Sequence, residues 1–327
     1  MATPDLIPIT AAGLLVTDWC PARCRHCYVR AGPEGREWMT VDAAAAHLAA
    51  LARMGVPPAG IHVGGGEPFG DFERLLAVVR SARQAGLAGV GYVETSGFWA
   101  ESADLVRRRL AALAEAGMMQ ISISADPYHQ EFVPPERVQL LYDVAREVLG
   151  PSGVRVRRWK WLRQAKDVSA MPEDERLALF ADFLRRYSER LSGRAAERLA
   201  PLLPRVPGER LPGDGCRAPL LESRHVHIDP RGWVNPGTCA GIVLGRATAD
   251  APLDALLARW RPEQSPLIAV LAEGGPKRLL AEALRRGFVV DPEGYAGKCH
   301  LCWALRSHLV RGGTGGDEFG PRPLYTM

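Results

Sequence analysis

Three cysteines within a short loop constrain this chain more than any other feature of its sequence. Cys20, Cys24 and Cys27 lie in the segment CPARCRHCY, with three and then two residues between them. Closely spaced thiolates are soft ligands that hold zinc or iron–sulfur clusters. Zinc sites prefer four ligands, and His26 is too cramped between Cys24 and Cys27 to complete the set easily. The spacing therefore predicts a cubane iron–sulfur cluster in which three irons bind cysteine and the fourth iron stays open.

The composition is that of an ordinary globular chain. Its 327 residues are 47% hydrophobic and 24% charged, which suffices for one large α/β domain and a small appendage. The sequence has no apolar run of about eighteen residues, and the opening MATPDLIPIT lacks the features of a secretory signal. A formal net charge of +4, from 41 basic and 37 acidic residues, is too small to indicate nucleic acid as a partner.

The number of cysteines indicates a second metal site. Four more cysteines, Cys216, Cys239, Cys299 and Cys302, bring the total to seven. An odd number at metal-like spacing, without an export signal, argues against a disulfide framework and predicts a reducing, cytoplasmic location. Three of the seven cysteines would bind the open cluster, and the other four would form a closed site.

Residues 11–161 alternate short β-rich runs with longer helical segments, which is typical of βα units around a parallel sheet. Thr40 and Asp71 are predicted to cap helices, and helices are also expected from about Ser102 to Ala116 and from Pro135 to Leu149. The predicted strands are residues 13–17, 60–63, 89–94, 120–124 and 154–161.

The whole chain is predicted to be an α/β protein with four segments. A change to charged helical and then Pro- and Gly-rich sequence marks the end of the α/β core. The expected segments are the core at 1–162, a helical segment and linker at 163–215, a four-cysteine unit at 216–311, and a flexible Gly-rich tail at 312–327.

A second motif follows the second predicted strand. Gly65 and Gly66 allow a ligand to approach the backbone closely, and the Glu67 carboxylate accepts hydrogen bonds from an ammonium group. Gly-Gly-Glu-Pro alone would indicate only a turn. Because the ends of parallel strands meet at one edge of a sheet, the motif is expected beside the cysteine loop.

The three cysteines, the aromatic Tyr28 and the Gly-Gly-Glu-Pro motif together resemble the radical S-adenosylmethionine (radical SAM) superfamily. The resemblance implies a partial (β/α)6 TIM-like barrel in which Cys20, Cys24 and Cys27 bind a 4Fe–4S cluster. S-adenosylmethionine (SAM) would bind the open iron and be cleaved by one electron to a 5′-deoxyadenosyl radical, which takes hydrogen from a substrate. A donor such as flavodoxin or ferredoxin would supply the electron.

The resemblance also implies further SAM contacts. Besides Gly65, Gly66 and Glu67 at the methionine end, it suggests polar residues at the ribose and one strand-five arginine, with Arg157 as the candidate, at the carboxylate. A strand with simple polar alternation is an equally good interpretation of each serine. The implied ribose residues are Thr95, Ser96, Ser122, Ser124 and Asp126, and the other strand-five arginines are Arg155 and Arg158.

The C-terminal cysteines resemble the Twitch subdomain, a shortened relative of the SPASM extension of radical SAM enzymes. Cys216 and Cys239 flank two predicted strands joined by a tight turn at residues 229–232, and Cys299 and Cys302 are expected at the start of a helix. Four cysteines imply one auxiliary 4Fe–4S cluster with an electron-transfer role. Zinc is the alternative on spacing alone.

Several histidines and one basic run are also candidates for function. His129 is a candidate proton acceptor beside Asp126, with a hydrogen bond to the backbone as the alternative. His62 is read as a core histidine, and the His225–His227 pair as surface residues rather than a metal site. The basic run RVRRWKWLR is read as a lining for an anionic substrate or the SAM carboxylate rather than a nucleic-acid surface.

The expected activity is oxidative modification of a peptide or protein side chain, as by a maturase. With only nineteen residues before Cys20, an N-terminal leader-binding domain is not expected. Dehydrogenation of a small alcohol or aminocyclitol is the alternative substrate class. A non-catalytic iron–sulfur electron carrier is the alternative of a different kind.

Overall fold

A computed structural model describes residues 8–164 and 166–326. Residues 1–7, part of the opening segment for which no secretory signal is expected, lie outside the described residues, as do Ala165 and Met327. Among the described residues, none of the helices is long and apolar enough to cross a membrane.

One eight-stranded sheet organises the described chain. Its strands lie in the order β5-β4-β3-β2-β1-β6-β7-β8. The first six pair in parallel, and β7 and β8 continue the sheet in antiparallel fashion. The predicted α/β fold class is confirmed. The strands are β1 (Ala11–Leu15), β2 (Ile61–Gly64), β3 (Val90–Thr95), β4 (Met118–Ser124), β5 (Val154–Arg157), β6 (His225–Ile228), β7 (Trp233–Pro236) and β8 (Gly245–Arg246).

In the first half of the chain, helices alternate with strands. In the second half, most of the regular structure is helical. The first five strands are each followed by at least one helix, as the βα pattern predicts. The α-helices are α1 (Val41–Arg53), α2 (Phe72–Gln84), α3 (Ala103–Ala116), α4 (Pro127–Gln130), α5 (Pro135–Leu149), α6 (Trp159–Leu162), α7 (Glu173–Arg186), α8 (Arg194–Arg198), α9 (Arg217–Leu220), α10 (Leu253–Arg259), α11 (Pro266–Arg285), α12 (Lys298–Arg311) and α13 (Pro323–Thr326).

Local capping signals place the helix starts where the sequence predicts them. The side chains of Thr40, Asp71 and Ser102 accept hydrogen bonds from the backbone of the first turns of α1, α2 and α3. Each cap satisfies one of the backbone N–H groups that a helix start leaves without a partner.

The two faces of the sheet differ in chemistry. Alternate residues such as Ala12, Leu14 and Val63 are fully buried in the apolar core between the sheet and the helices. Because side chains alternate along a strand, their neighbours Gly13 and His62 face the inside of the partial barrel. The barrel interior is therefore polar, and its end at the carboxyl termini of the strands forms the site described below.

The fifth strand is shorter than predicted. It ends at Arg157, whereas the alternating pattern predicts a strand to residue 161. Arg158 adopts a left-handed backbone conformation with φ of 69°, and the chain continues into α6. Trp159 and its neighbours belong to α6 rather than to β5, so the basic-aromatic run does not form one continuous strand.

The hairpin of the four-cysteine region is part of the main sheet. Its turn forms as predicted, with the Asp229 carboxylate accepting hydrogen bonds from the backbone N–H groups of Arg231 and Trp233. The sequence predicts a separate unit, but β6 pairs in parallel with β1, with Gly13 opposite His227. This pairing joins residues more than two hundred positions apart, which local sequence patterns do not reveal.

The helical segment between the two halves covers the cysteine loop. Phe180 and Phe183 of α7 and Leu199 after α8 belong to a buried cluster that includes Cys24 and Tyr128. The segment 163–215 carries no recognisable motif, but several of its residues form this second hydrophobic core beside the cysteine loop.

The C-terminal tail packs against the fold, although a flexible tail is predicted. Phe319 forms a bridge with Ile242, and the Tyr325 hydroxyl hydrogen-bonds the Gly241 carbonyl oxygen. Both aromatic rings are buried, and their apolar burial outweighs the flexibility that the many glycines favour.

Candidate active site

The cysteine loop is held against the Gly-Gly-Glu-Pro turn by backbone hydrogen bonds. Gly66 N donates to the Thr17 carbonyl oxygen at 2.7 Å, and Glu67 N donates to the Trp19 carbonyl oxygen at 2.8 Å. A Cβ atom at position 66 would lie 1.9 Å from the Trp19 oxygen, so only glycine fits there. The two motifs therefore meet at the ends of β1 and β2, as predicted.

The three thiols of the loop line one cavity. Burial, together with the charge of Glu67, raises the pKa of Cys20, and burial raises the pKa of Cys24. Buried thiolates need a cationic partner, so this donor set fits the iron atoms of a cluster. The three sulfurs do not all lie within 4.8 Å of one another. A tetrahedral zinc site, with Zn–S bonds of about 2.3 Å, would set them about 3.8 Å apart.

Glu67 does not point into this cavity, contrary to the predicted ammonium contact. Its Oε1 accepts from the Thr95 hydroxyl at 2.8 Å and from Phe69 N, and its Oε2 accepts from both the backbone N and the hydroxyl of Ser96. These four hydrogen bonds fill the acceptor capacity of a carboxylate. Glu67 is therefore a buried bridge between the two loops, while Gly65 and Gly66 line the cavity.

The predicted ribose residues differ in position. Thr95, Ser96 and Ser124 line the cavity. The Thr95 hydroxyl also accepts hydrogen bonds from Gly97 N and the Trp99 indole, so its polar atom is already engaged. Ser122 lies two residues earlier on β4 and is buried deeper in the barrel.

Glu94 is a candidate site residue that the sequence analysis did not single out. It stands next to Thr95 on β3 but faces the barrel interior, where it lines the cavity together with Arg157. Burial raises the pKa of Glu94, and the charges of Arg157 and Arg155 oppose that shift. The alternation of β3 is the signal that would have found it, because Glu94 has the same parity as Tyr92.

His129 and Asp126 form a hydrogen-bonded pair at the cavity wall. Asp126 caps α4, and its Oδ2 lies 2.8 Å from His129 Nδ1. Burial alone would raise the pKa of Asp126, but His129 and His26 lower it, so the carboxylate stays charged. With Nδ1 engaged by Asp126, the free nitrogen of His129 is Nε2. His26 packs edge to face against His129, and burial lowers its pKa to about 3.

The four C-terminal cysteines also converge. Cys216, Cys239, Cys299 and Cys302 line one cavity, although Cys216 and Cys299 are more than eighty residues apart in sequence. Cys299 and Cys302 lie in the first turns of α12, as predicted. No three of these four described sulfurs lie within 4.8 Å of one another, a wider spacing than tetrahedral zinc requires.

Two arginines face these thiols. Arg190 Nη1 donates to Cys239 Sγ at 2.8 Å, and Arg306 Nε donates to Cys302 Sγ at 3.3 Å. Arg306 is buried, so its charge favours thiolate over thiol in its neighbours. The pocket therefore fits a group that carries negative charge on its sulfurs.

Comparison with known proteins finds one family match and several solved structures of similar fold. Residues 14–168 match the family described as the Radical SAM superfamily. Among solved structures, BtrN in complex with AdoMet and 2-DOIA is 16% identical, with 84% of this chain and 90% of that chain covered and a TM-score of 0.48. BtrN in an open conformation is 13% identical, with coverage of 82% and 87% and a TM-score of 0.43. No curated protein matches the chain.

The family match begins within β1, ends after α6 and includes the loops that carry both motifs. Radical SAM domains bind a 4Fe–4S cluster through cysteines together with SAM, which agrees with the cavity shared by the cysteine loop and the two glycines. Residues 14–168 of this chain therefore resemble a radical SAM domain.

Proposed function

We propose that this chain is a radical SAM oxidoreductase that takes hydrogen from a substrate and passes the second electron to an auxiliary iron–sulfur site. One observation carries the proposal. Glu189 Oε2 lies 3.9 Å from Arg157 Nη2 at the first cavity, and the next residue, Arg190, donates to Cys239 at the second. Two adjacent residues thus link Arg157 of the first cavity to Cys239 of the second. A substrate radical needs an electron acceptor within reach to be oxidised.

At the first site, Cys20, Cys24 and Cys27 would hold the cluster. When bound, the cluster supplies the electron that cleaves SAM to methionine and the 5′-deoxyadenosyl radical. Gly65 and Gly66 offer close backbone approach at one end of the cavity. Ser96 and Ser124 suit the ribose hydroxyls, since the Thr95 hydroxyl is engaged elsewhere, and Arg157 suits a carboxylate. A flavodoxin or ferredoxin in a reducing cytoplasm is the proposed electron donor.

His129 is the proposed proton acceptor. Asp126 holds the Nδ1 proton of the ring, which leaves Nε2 with a lone pair for a substrate proton. Because Asp126 stays charged, it also stabilises the imidazolium that forms when His129 accepts the proton. Asp126 therefore acts through His129 as a positioning residue.

At the second site, Cys216, Cys239, Cys299 and Cys302 would hold a 4Fe–4S cluster, as in the Twitch and SPASM extensions that this region resembles. When bound, such a cluster accepts one electron. The wide spacing of the four sulfurs supports a cluster over zinc. Arg190 and Arg306 would donate N–H groups to the ligating sulfurs, which favours the reduced form.

Two substrate classes are candidates. A peptide or protein side chain follows from the resemblance of the C-terminal region. A small alcohol or aminocyclitol is favoured by the cavity itself, since Glu94 offers a carboxyl group and His129 offers a base to a small polar molecule. The cavity is also closed on one side, because Arg194 N donates to the Cys27 carbonyl oxygen and brings its segment against the loop.

The test uses the full chain with its clusters reconstituted under anaerobic conditions, SAM and dithionite. We expect formation of 5′-deoxyadenosine, measured by liquid chromatography and mass spectrometry, and its loss when Cys20, Cys24 and Cys27 are replaced by alanine. No 5′-deoxyadenosine from the cluster-loaded wild type would instead indicate an electron carrier. A product two mass units lighter, from either a panel of peptides or a panel of alcohols and aminocyclitols, identifies the substrate class.

The role of the second site is tested separately by replacing Cys216, Cys239, Cys299 and Cys302 with alanine. We expect iron to fall from about eight to about four atoms per chain, with 5′-deoxyadenosine still formed and oxidised product lost. Unchanged iron and continued oxidation would contradict the proposed auxiliary cluster.

A further inference from the structure

Three histidines from two distant parts of the chain meet inside the barrel. His62 of β2, His225 and His227 of β6 place one ring nitrogen each within 4.8 Å of the others. Both strands pair with β1, and Gly13 is the common neighbour of His62 and His227. The reading of His62 as a core histidine is confirmed by its burial. The reading of His225 and His227 as a surface pair is wrong for His227, which is buried beside His62.

The arrangement of the rings matches the geometry of a metal bound by three histidines. The ring centroids lie 5.3 Å apart for His62–His225, 5.3 Å for His62–His227 and 4.4 Å for His225–His227. A tetrahedral ion bound at about 2.0–2.1 Å by three imidazoles sets the ring centres about 5 Å apart.

The neighbours of the three rings fix their orientation. His227 Nδ1 hydrogen-bonds the Gly237 carbonyl oxygen, which leaves Nε2 as the ligand atom; metal-binding histidines commonly use their second nitrogen in this way. His62 stacks in parallel on Tyr92 with centroids 4.8 Å apart. His225 Nε2 is buried without a hydrogen-bond partner, as expected of a nitrogen that binds a metal ion.

Gly13 makes the space in which the rings meet. A Cβ atom there would lie 2.4 Å from His62 and 2.5 Å from His227. Its backbone is ordinary extended strand, so glycine is needed for this close approach rather than for a turn.

We propose that His62, His225 and His227 form a binding site for a divalent transition-metal ion, separate from both cysteine sites. The ion would tie β2 to β6 across β1 and so fasten the C-terminal hairpin to the barrel.

The test measures zinc binding to the full chain after both cysteine sites have been loaded with iron and sulfide. The protein is dialysed against buffered Zn²⁺ under anaerobic conditions, and zinc and iron are counted by mass spectrometry. We expect about one zinc per chain with iron unchanged. Replacing any one of the three histidines with phenylalanine should weaken zinc binding at least about 100-fold, since a ligand is lost.

His47→Phe is the matched control. His47 is a buried histidine of α1, outside the cluster, and its replacement should leave zinc binding unchanged. Retention of zinc by all three cluster variants would overturn the proposal.

X-ray absorption spectroscopy at the zinc edge of the wild-type protein identifies the ligands of the bound zinc, even if a variant does not fold. A first shell of nitrogen ligands, at about 2.0–2.1 Å, is expected. A shell of sulfur ligands, or no bound zinc at a tenfold excess of Zn²⁺, would overturn the site.

Discussion

Glu67 Oε1 accepts a hydrogen bond from the Thr95 hydroxyl at 2.8 Å, which joins the loop after β2 to the loop after β3. The carboxylate is buried and makes three further hydrogen bonds, two of them to Ser96. The glycines that line the cavity are therefore held in place by the residue that follows them.

Replacing Glu67 with glutamine should destabilise the protein and weaken SAM binding together. The amide nitrogen cannot accept the hydrogen bonds that a carboxylate oxygen accepts, so a buried N–H group loses its partner at a cost of about 2 kcal/mol. Urea denaturation and SAM titration measure the two effects. Glu115→Gln, at an exposed position of α3, is the control. Weaker SAM binding with unchanged stability would instead indicate that Glu67 contacts SAM directly.

Replacing His129 with alanine should lower formation of the oxidised product without lowering cleavage of SAM. Loss of a general base lowers turnover by about 100-fold or more, while SAM cleavage does not need this proton transfer. Oxidised product and 5′-deoxyadenosine are measured in the same sample. An unchanged ratio of oxidised product to 5′-deoxyadenosine would show that another group accepts the proton.

Replacing Arg194 with alanine should loosen the cysteine loop. Its guanidinium donates to the carbonyl oxygens of Cys24, Arg30 and Ala31, which lie on the loop and just beyond it. Loss of these hydrogen bonds should lower the free energy of unfolding by about 2–3 kcal/mol and speed the loss of iron from the first site. Arg198→Ala, at an exposed position of the same helix, should have neither effect.

Replacing Arg190 with alanine should lower the reduction potential of the second cluster and leave the first unchanged. The Arg190 guanidinium donates to Cys239 Sγ, and both its charge and its N–H group stabilise the extra electron. A redox titration followed by EPR spectroscopy reports each cluster, with the exposed Arg185→Ala as control. A rise in the reduction potential of the second cluster would contradict the effect expected of this hydrogen bond.

Acidification should destabilise the protein in part through His47. Burial lowers the pKa of His47 to about 4, below the ordinary value of about 6.5. The unfolded chain therefore binds the proton first, so stability falls as the pH drops from about 6.5 towards 4, by roughly 1–2 kcal/mol at pH 5.

The corresponding measurement compares urea denaturation of the wild type and His47→Phe at pH 7 and pH 5. The variant should lose less stability between the two pH values, whatever its stability at pH 7. An equal loss in both proteins would show that His47 does not contribute to the acid sensitivity.

The sequence alone determined the elements whose signals are local. Alternation of apolar residues predicted the first four strands, and Thr40, Asp71 and Ser102 marked helix starts that the structure confirms, because a cap bonds within its own first turn. The cysteine spacing and the glycine pair likewise indicated the candidate site, since each motif is a short contiguous segment.

The tertiary structure decided every feature that depends on pairing between distant segments. Glu67 is turned towards Ser96 rather than the cavity, Glu94 lies in the cavity, and β6 joins β1. That last pairing also brings His62 and His227 together. The register between distant strands sets which side chains meet, and no local pattern of residues carries that information.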